Sequence, residues 1–452
     1  MKILLVATNR MMTPFPVYPI GVDYVATALR GLHDVRVMDL ACDGAAAAMT
    51  AACQAWRPDV VGLSIRNIDN VEAESPIGFI PEIERIANLV RAECSARIVL
   101  GGPGFSIFPD ALMARLRADF GVVGEGERLV ELLEALAAGE LSDATPIPGV
   151  FAGAHRLAPP EPWHGSHGRR LTSPETVTHY LRWGGMLNVQ TKRGCPYLCT
   201  YCTYPGIEGR NLRLFDPEEV AREWQSLIEA GAKFLFVTDS VFNSHVRHNL
   251  AVAEALRRQH LAVPWGAFFA PTRPPRDYYR RLREAGLTHA EFGTESFSPA
   301  MLQSYRKPFV VEHALAAHRE ARAAGLHVAH YIMLGGPGET AETVAETLDR
   351  CDSLDDAALF FFCGVRIYPS TQLHAIALRE GQISANDDLL EPRFYNPAGI
   401  AIDAIATMVT GRARGRRHWI TGSGSAEMAR AIRRMYQRGR IGPLWDRLVT
   451  TG

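Results

Sequence analysis

Two rhythms of apolar and polar positions divide the chain. Up to residue 145, short unbroken apolar runs such as KILLVA (2–7), DVVGLSI (59–65), RIVLGG (97–102) and FGVVGEG (120–126) alternate with helical stretches such as VDYVATALRGL and IPEIERIANLVRAE. Strands that are apolar on both faces belong in a parallel sheet covered by helices on each side, so residues 1–145 are expected to form a doubly wound, Rossmann-like α/β domain. Its ligand would sit beyond the carboxyl ends of the strands. Residues 146–185, with the Gly/Pro-punctuated run PIPGVFAGAHRLAPPEPWHG, read as a hairpin and an irregular linker. From Met186 the rhythm becomes strand then helix: LNVQTK, FLFVTD, WGAFFA, HAEFGTE, HVAHYIML and FFFCGVRIY are separated by helices such as PEEVAREWQSLIEAG. Six such units predict a partial (β/α)6 TIM-type barrel over residues 186–386. Residues 387–452, rich in alanine and arginine, read as a helical C-terminal cap over the barrel mouth.

Composition narrows the setting. A chain of 452 residues exceeds one ordinary core, and 47% hydrophobic with 21% charged residues describes a soluble protein with no stretch able to span a bilayer. A net charge of −1 argues against a nucleic-acid partner held by bulk electrostatics. The cluster Arg412, Arg414, Arg416, Arg417 and His418 reads as a solvated face, with an anionic substrate or an electron donor as the alternative. Eight cysteines are sparse for this length and the chain opens on a strand-like run with no signal peptide, so a cytoplasmic protein with reduced thiols is expected. Cys42, Cys53, Cys94, Cys351 and Cys363 read as small hydrophobes or free thiols.

The other three cysteines lie in one run, KRGCPYLCTYC, as Cys195, Cys199 and Cys202. Thiolates are soft ligands, and three on one loop hold three corners of a metal centre while leaving a fourth open. A structural zinc site would need a fourth ligand, and no C-x2-C or H-x3-H pair follows before His245. The C-x3-C-x2-C spacing, with Tyr201 before the last cysteine, resembles the cluster loop of the radical S-adenosylmethionine (SAM) superfamily. That resemblance implies a 4Fe-4S cluster on Cys195, Cys199 and Cys202, with SAM on the open iron. It implies SAM contacts from Thr238, Asp239 and Ser240 after the second barrel strand, Glu295 after the fourth, and Leu334, Gly335 and Gly336 in LGGPGET after the fifth. Arg366 and Tyr368, in RIYPST after the sixth, would face the same cavity, Tyr368 as a catalytic residue beside the cysteines. Each also has a plain structural reading as a helix cap, an ion pair or a turn.

The turns of the first domain point to a second cofactor. RPDVVGLSIRN, IVLGGPGFSIFP and VVGEGE, in that order, look like the cobalamin-binding domain that precedes the barrel in one class of radical SAM enzymes. By that resemblance Ser64, Arg66, Asn67, Gly101, Gly102, Gly124 and Glu125 line a cobalamin pocket, the glycines allowing close approach of a bulky ligand. The D-x-H-x-x-G motif that ligates cobalt from below is absent, and His33 opens no such motif. Arg66 is then the candidate for the lower face, and a degenerate scaffold without cofactor is the rival. The resemblance implies a cobalamin-dependent radical SAM methyltransferase acting on an unactivated carbon of a small-molecule, lipid or peptide substrate, fed by a flavodoxin- or ferredoxin-type reductant. Oxidative cyclisation or rearrangement, and methyl transfer to phosphorus or an sp2 carbon without hydrogen abstraction, use the same parts. A non-catalytic iron-sulfur protein would have no SAM contacts.

Overall fold

The apolar runs of the first third pair side by side. In the computed structural model, which describes residues 1–12, 15–42, 44–141, 146–165, 168–422 and 426–449, five parallel strands are β1 (Lys2–Ala7), β2 (Asp34–Asp39), β3 (Val60–Ser64), β4 (Arg97–Gly101) and β5 (Phe120–Val122). The expected boundary at residue 145 lies outside the described residues. Their order is 2-1-3-4-5, so the winding reverses between β1 and β3 and opens a crevice at the carboxyl ends of those two strands. Helix Ile80–Glu93 covers one face because Ile83, Ile86, Ala87 and Val90 recur at helical spacing and are all buried. The linker hairpin forms as β6 (Val150–Ala152) and β7 (His155–Arg156), and β6 joins the β5 edge antiparallel.

The barrel strands are β8 (Met186–Val189), β11 (Phe234–Val237), β12 (Trp265–Phe269), β13 (Leu287–Glu295), β14 (His327–Leu334) and β15 (Ala357–Cys363). Two short ladders flank them, β9 (Lys192–Arg193) with β10 (Arg213–Leu214), and β16 (Val365–Arg366) with β17 (Phe394–Tyr395). The helices between barrel strands are capped as the sequence suggests. Helix Pro217–Glu229 starts with Asp216 accepting from the Glu218 and Glu219 amides and with proline in its first turn, and it buries Val220, Ala221, Trp224 and Leu227.

The C-terminal segment does more than cap. Besides helices Ile402–Ala413 and Ala426–Gln437 it supplies β18 (Trp419–Thr421), which pairs parallel with β15 and makes the barrel sheet seven-stranded. Its last turn, Trp445–Leu448, enters the barrel from the floor: the Trp445 indole donates to Glu291 Oε1 at 2.8 Å. The parts near the mouth are its beginning, where Asp388 shares a cavity with Cys199 and Cys202, and the stretch around Gly399, which bridges to Thr340. Periodicity revealed the helices but not β18, because three residues carry too little pattern to mark a strand.

One apolar cluster crosses the seam between the two sheets, joining Ile65, Ile68, Phe105 and Phe108 to Met301, Tyr305, Val365, Ile367 and Tyr395. A shared core of this kind fixes the two halves as one packed unit. Among the described residues no helix is long and apolar enough to cross a membrane.

Candidate active site

The cysteine loop leaves the carboxyl end of the first barrel strands and is held from below by charge. Asp239, just after β11, is 1% exposed and accepts from the Thr191 amide (2.7 Å), the Thr191 hydroxyl (2.6 Å), the Lys192 amide (3.3 Å) and Lys192 Nζ (2.6 Å). Both oxygens are filled by these donors rather than left open toward the expected SAM, and the carboxylate positions the residues that lead into the cysteines. Ser240 is spent in the same way. Its hydroxyl donates to Glu208 Oε2 at 3.0 Å, and Glu208 also accepts from the Gly194 amide and from Gln190. Thr238 closes the strand pair, its amide and hydroxyl both donating to the Val189 carbonyl. Asp239→Asn should therefore cost stability, leaving the Lys192 ammonium buried without a counter-charge at about 3–5 kcal/mol in denaturant unfolding. A weaker affinity for SAM at unchanged stability would restore the first reading.

Cys195 is buried, while Cys199 and Cys202 are partly exposed. Burial raises all three thiols above their usual range, Cys202 to about 12, and the neighbouring Cys199 and Cys195 add to the shift of Cys202. Among the described residues they do not form a group compact enough to share one ion. A single ion with metal–sulfur bonds of about 2.3 Å needs tighter spacing, whereas a cluster takes each thiolate on a different iron. The donor set therefore fits a 4Fe-4S cluster.

Above the loop Glu295, expected from the sequence to contact SAM, is joined by a cation that the sequence did not single out, Lys307. Glu295, at the end of β13, has φ +58° beside a register shift in the ladder with β14. A bulge of this kind re-aims a side chain. Here the carboxylate meets Lys307 Nζ at 2.5 Å. Burial alone would lower the Lys307 ammonium, but Glu295 and Cys199 outweigh it and hold it above its usual value. Lys307 Nζ also donates to Tyr201 Oη at 3.3 Å and lies 5.4 Å from the Phe309 ring centroid. Tyr201 packs edge-on against Tyr305, which in turn fills the space a side chain at Gly336 would need. The signal in the sequence was Lys307 itself, set between the aromatics Tyr305 and Phe309.

Leu334 is buried at the end of β14, and Gly335 begins the following turn with φ +97°, its amide donating to Glu339 Oε2 at 2.9 Å. The turn therefore sits beside Tyr305 and the cysteine loop. Arg366 does not: its side chain is 1% exposed, pairs with Asp69 at 3.1 Å, and donates to the Ile367 and Leu389 carbonyls. The expected cavity role of Arg366 is replaced by a staple between the two halves. Tyr368 packs between the Arg366 guanidinium and Phe108 at the same seam, half-buried, and the residues after it, Pro369 to Thr371, share a cavity with Cys199 and Cys202.

At the crevice of the first sheet, Ser64 ends β3, and Arg66 and Asn67 follow it after the buried Ile65. All three are half-buried, and among the described residues their side chains make no hydrogen bond or ion pair. Burial lowers the Arg66 guanidinium from its usual value, with Tyr204 and Tyr180 opposing. Tyr204 begins the short helix Tyr204–Ile207 that follows the cysteines, so Arg66 faces the cluster loop. Gly124 approaches the same helix: a side chain there would lie 3.3 Å from the Ile207 carbonyl. His33 lies near the amino terminus, its Nδ1 3.4 Å from the Met1 nitrogen, at the opposite end of the sheet.

Two expected pocket residues, Gly102 and Glu125, have other duties. A side chain at Gly102 would lie 2.7 Å from the Ile65 carbonyl, so this glycine serves packing of the crevice wall, while the Gly101 position is nearly open. Glu125 is spent on Arg193 (2.5 Å), Arg213 (3.1 Å) and the Trp163 amide (2.7 Å). Arg193 also pairs with Glu127 at 2.7 Å. The residue two before Cys195 is thus anchored to the last parallel turn of the first domain.

Comparison with known proteins decides what this pairing of crevice and cysteine loop is. Residues 189–351 match the Radical SAM superfamily, and residues 11–134 match the B12 binding domain. The chain is a radical SAM enzyme with a B12-binding domain. This radical SAM chain is 27% identical over 429 residues to a tryptophan 2-C-methyltransferase of Streptomyces laurentii, covering 78% of the chain and 71% of that protein. It is 28% identical over 371 residues to an uncharacterized methyltransferase of Pyrococcus horikoshii, covering 80% of the chain and 78% of that protein. In fold it matches the radical SAM methyltransferase TsrM from Kitasatospora setae, solved with cobalamin and a [4Fe-4S] cluster bound, with a TM-score of 0.88 at 23% identity over 99% of this chain and 97% of that one. The radical SAM domain implies the 4Fe-4S cluster and SAM, and the B12-binding domain implies cobalamin. Ser64, Arg66 and Asn67 fit the last of these, since their side chains are not committed to partners within the described residues and are free to meet a ligand at the switch point of the sheet.

Proposed function

We propose that this enzyme transfers a methyl group from SAM, by way of cobalamin, to a carbon of a small-molecule, lipid or peptide substrate. The observation that carries the reading is the placement of three polar side chains not committed elsewhere, Ser64, Arg66 and Asn67, at the switch point of the first sheet, with Arg66 beside Tyr204 of the helix that follows Cys202. When bound, the cluster supplies an electron, SAM the methyl group and cobalamin the carrier. The chain's own residues do the rest. Cys195, Cys199 and Cys202 would hold the cluster, and Lys307 would place a buried positive charge beside the thiolates. Leu334, Gly335 and Gly336 would border SAM, and Arg66 would stand where a lower cobalt ligand would otherwise enter. Buried walls from Tyr201, Tyr305 and the seam exclude water from the reacting groups.

A second reading, methyl transfer to an sp2 carbon without hydrogen abstraction, is supported by the similarity to a protein named for carbon 2 of tryptophan. One experiment serves both. The enzyme, reconstituted with iron, sulfide and cobalamin and supplied with a flavodoxin-type reductant, is incubated with methyl-deuterated SAM and tryptophan, then with other aromatic and aliphatic candidates. Label in the product is expected. Release of 5′-deoxyadenosine in step with product supports hydrogen abstraction, and release of S-adenosylhomocysteine alone supports the second reading. Turnover of SAM to 5′-deoxyadenosine with an altered but unlabelled product would replace methyl transfer by rearrangement or oxidation.

A further inference from the structure

The floor of the barrel, opposite the cysteine loop, gathers a second set of metal-ligating side chains that neither cofactor uses. His289 on β13 and His327 on β14 are direct partners in the parallel ladder, so their rings project on the same side, with centroids 4.9 Å apart. Asp446, from the last turn of the chain, comes up to them. One ligand atom from each of the three lies within 4.8 Å of the others.

The hydrogen bonds around His289 fix its tautomer. The Thr288 hydroxyl donates its one proton to the Trp265 carbonyl at 3.1 Å, so at 2.9 Å from His289 Nδ1 it accepts the Nδ1–H. That leaves Nε2 with a bare lone pair, buried, without a hydrogen-bond partner, and 3.7 Å from Asp446 Oδ1. His289 as a whole is 8% exposed, shut in by Trp445 and Phe234 at ring separations of 5.0 and 5.2 Å. A lone pair aimed at a carboxylate oxygen in a closed apolar setting is repulsive unless a cation lies between them. A metal-ligating histidine ordinarily donates its other ring nitrogen to an outer partner, which is the part Thr288 and the Trp265 carbonyl play here.

We infer that His289 Nε2, His327 and Asp446 bind one divalent transition-metal ion of the zinc class, tying the C-terminal turn to β13 and β14. Two imidazoles, a carboxylate and a water complete a tetrahedral shell, whose edges of about 3.4 Å follow from bonds near 2.1 Å. The 3.7 Å between Nε2 and Oδ1 is close to such an edge already. His327 lies at the exposed edge of the group and gives an ion a way in. The site is on the amino-terminal face of the strands, the face of a barrel that serves stability. Its expected effect is therefore on the fold's persistence and not on the chemistry at the other end.

The test uses the full holoenzyme with its cluster and cobalamin in place, given one equivalent of zinc, desalted and analysed for metals. One zinc per chain at unchanged iron content is expected, with a Tm higher by several degrees. Asp446→Asn and His289→Gln should each lower retained zinc at least tenfold while iron and the cobalamin spectrum stay as in the parent. X-ray absorption at the zinc edge needs no variant and should report imidazole and oxygen ligands. Failure of the unsubstituted holoenzyme to retain zinc would mean that a proton alone occupies the gap and would overturn the inference. Sulfur ligands, or equal retention by both variants, would overturn it as well, and neither result touches the methyl-transfer reading.

Discussion

Gly194→Ala should abolish cluster assembly. Gly194, immediately before Cys195, has φ +92°, and a Cβ there would fall inside contact distance of the Asn211 carbonyl oxygen, a backbone atom that has no rotamer with which to give way. The left-handed conformation alone costs an L-residue about 1–3 kcal/mol. The displacement of Asn211 adds to that, and it disturbs a loop whose amides are already committed: Gly194 N to Glu208 and Cys195 N to the Gly209 carbonyl. Iron retained after anaerobic reconstitution should fall at least tenfold, and SAM cleavage with it, while cobalamin binding, which rests on the other sheet, should persist. Gly206→Ala is the control, because that glycine lies on the same stretch, has no positive φ and meets nothing within 4 Å. Full iron content in Gly194→Ala would show that the cysteine loop tolerates a shift that this geometry forbids.

This example marks where sequence reading reaches its limit. The cysteine spacing and the order of strands were legible, because metal-ligand spacing and period are local properties of the chain. What the residues at the strand ends do was less so. Asp239, Glu125 and Arg366 stand at positions from which a cofactor contact is the natural expectation, yet each is filled by a partner distant in sequence: Asp239 by Lys192, Glu125 by Arg193 and Arg213, Arg366 by Asp69. No periodicity announces a pair 297 residues apart. The converse holds for Lys307 and Glu208, which carry no motif but are brought to the cysteine loop by the fold.

These pairs share a logic. Asp69 with Arg366, and Glu125 and Glu127 with Arg193, run between the turns of the first domain and the short strands β16 and β9 of the second, the latter leading into the cysteine loop. Buried pairs of this kind add little net stability over apolar contacts, but breaking one is costly, so they favour one register over its alternatives. The two halves are thereby set so that the crevice after β3 opens on the helix after Cys202, and a methyl carrier in the one would face the radical chemistry of the other.

Arg66→Met should separate function from stability at that crevice. Arg66 makes no hydrogen bond or ion pair among the described residues, so its loss should alter unfolding free energy by no more than about 0.5 kcal/mol, as for substitutions away from such contacts. Its guanidinium is nonetheless half-buried at the switch point, where burial depresses its proton affinity, and it has no carboxylate to relieve that cost. A residue kept there at a loss, and facing the cluster loop, acts on what binds between them. Were the guanidinium to cover one face of bound cobalamin, its removal would open that face to water. The electron paramagnetic resonance spectrum of the cobalamin-loaded enzyme should then differ between the parent and Arg66→Met. Methylation should slow by about 10–100-fold, equivalent to roughly 1.4–2.8 kcal/mol of barrier. Arg66→Lys, which keeps the charge but not the planar bulk, should fall between. An unchanged cobalt spectrum with unchanged turnover in Arg66→Met would remove Arg66 from the cofactor site, and a large loss of stability would recast it as one more staple of the seam.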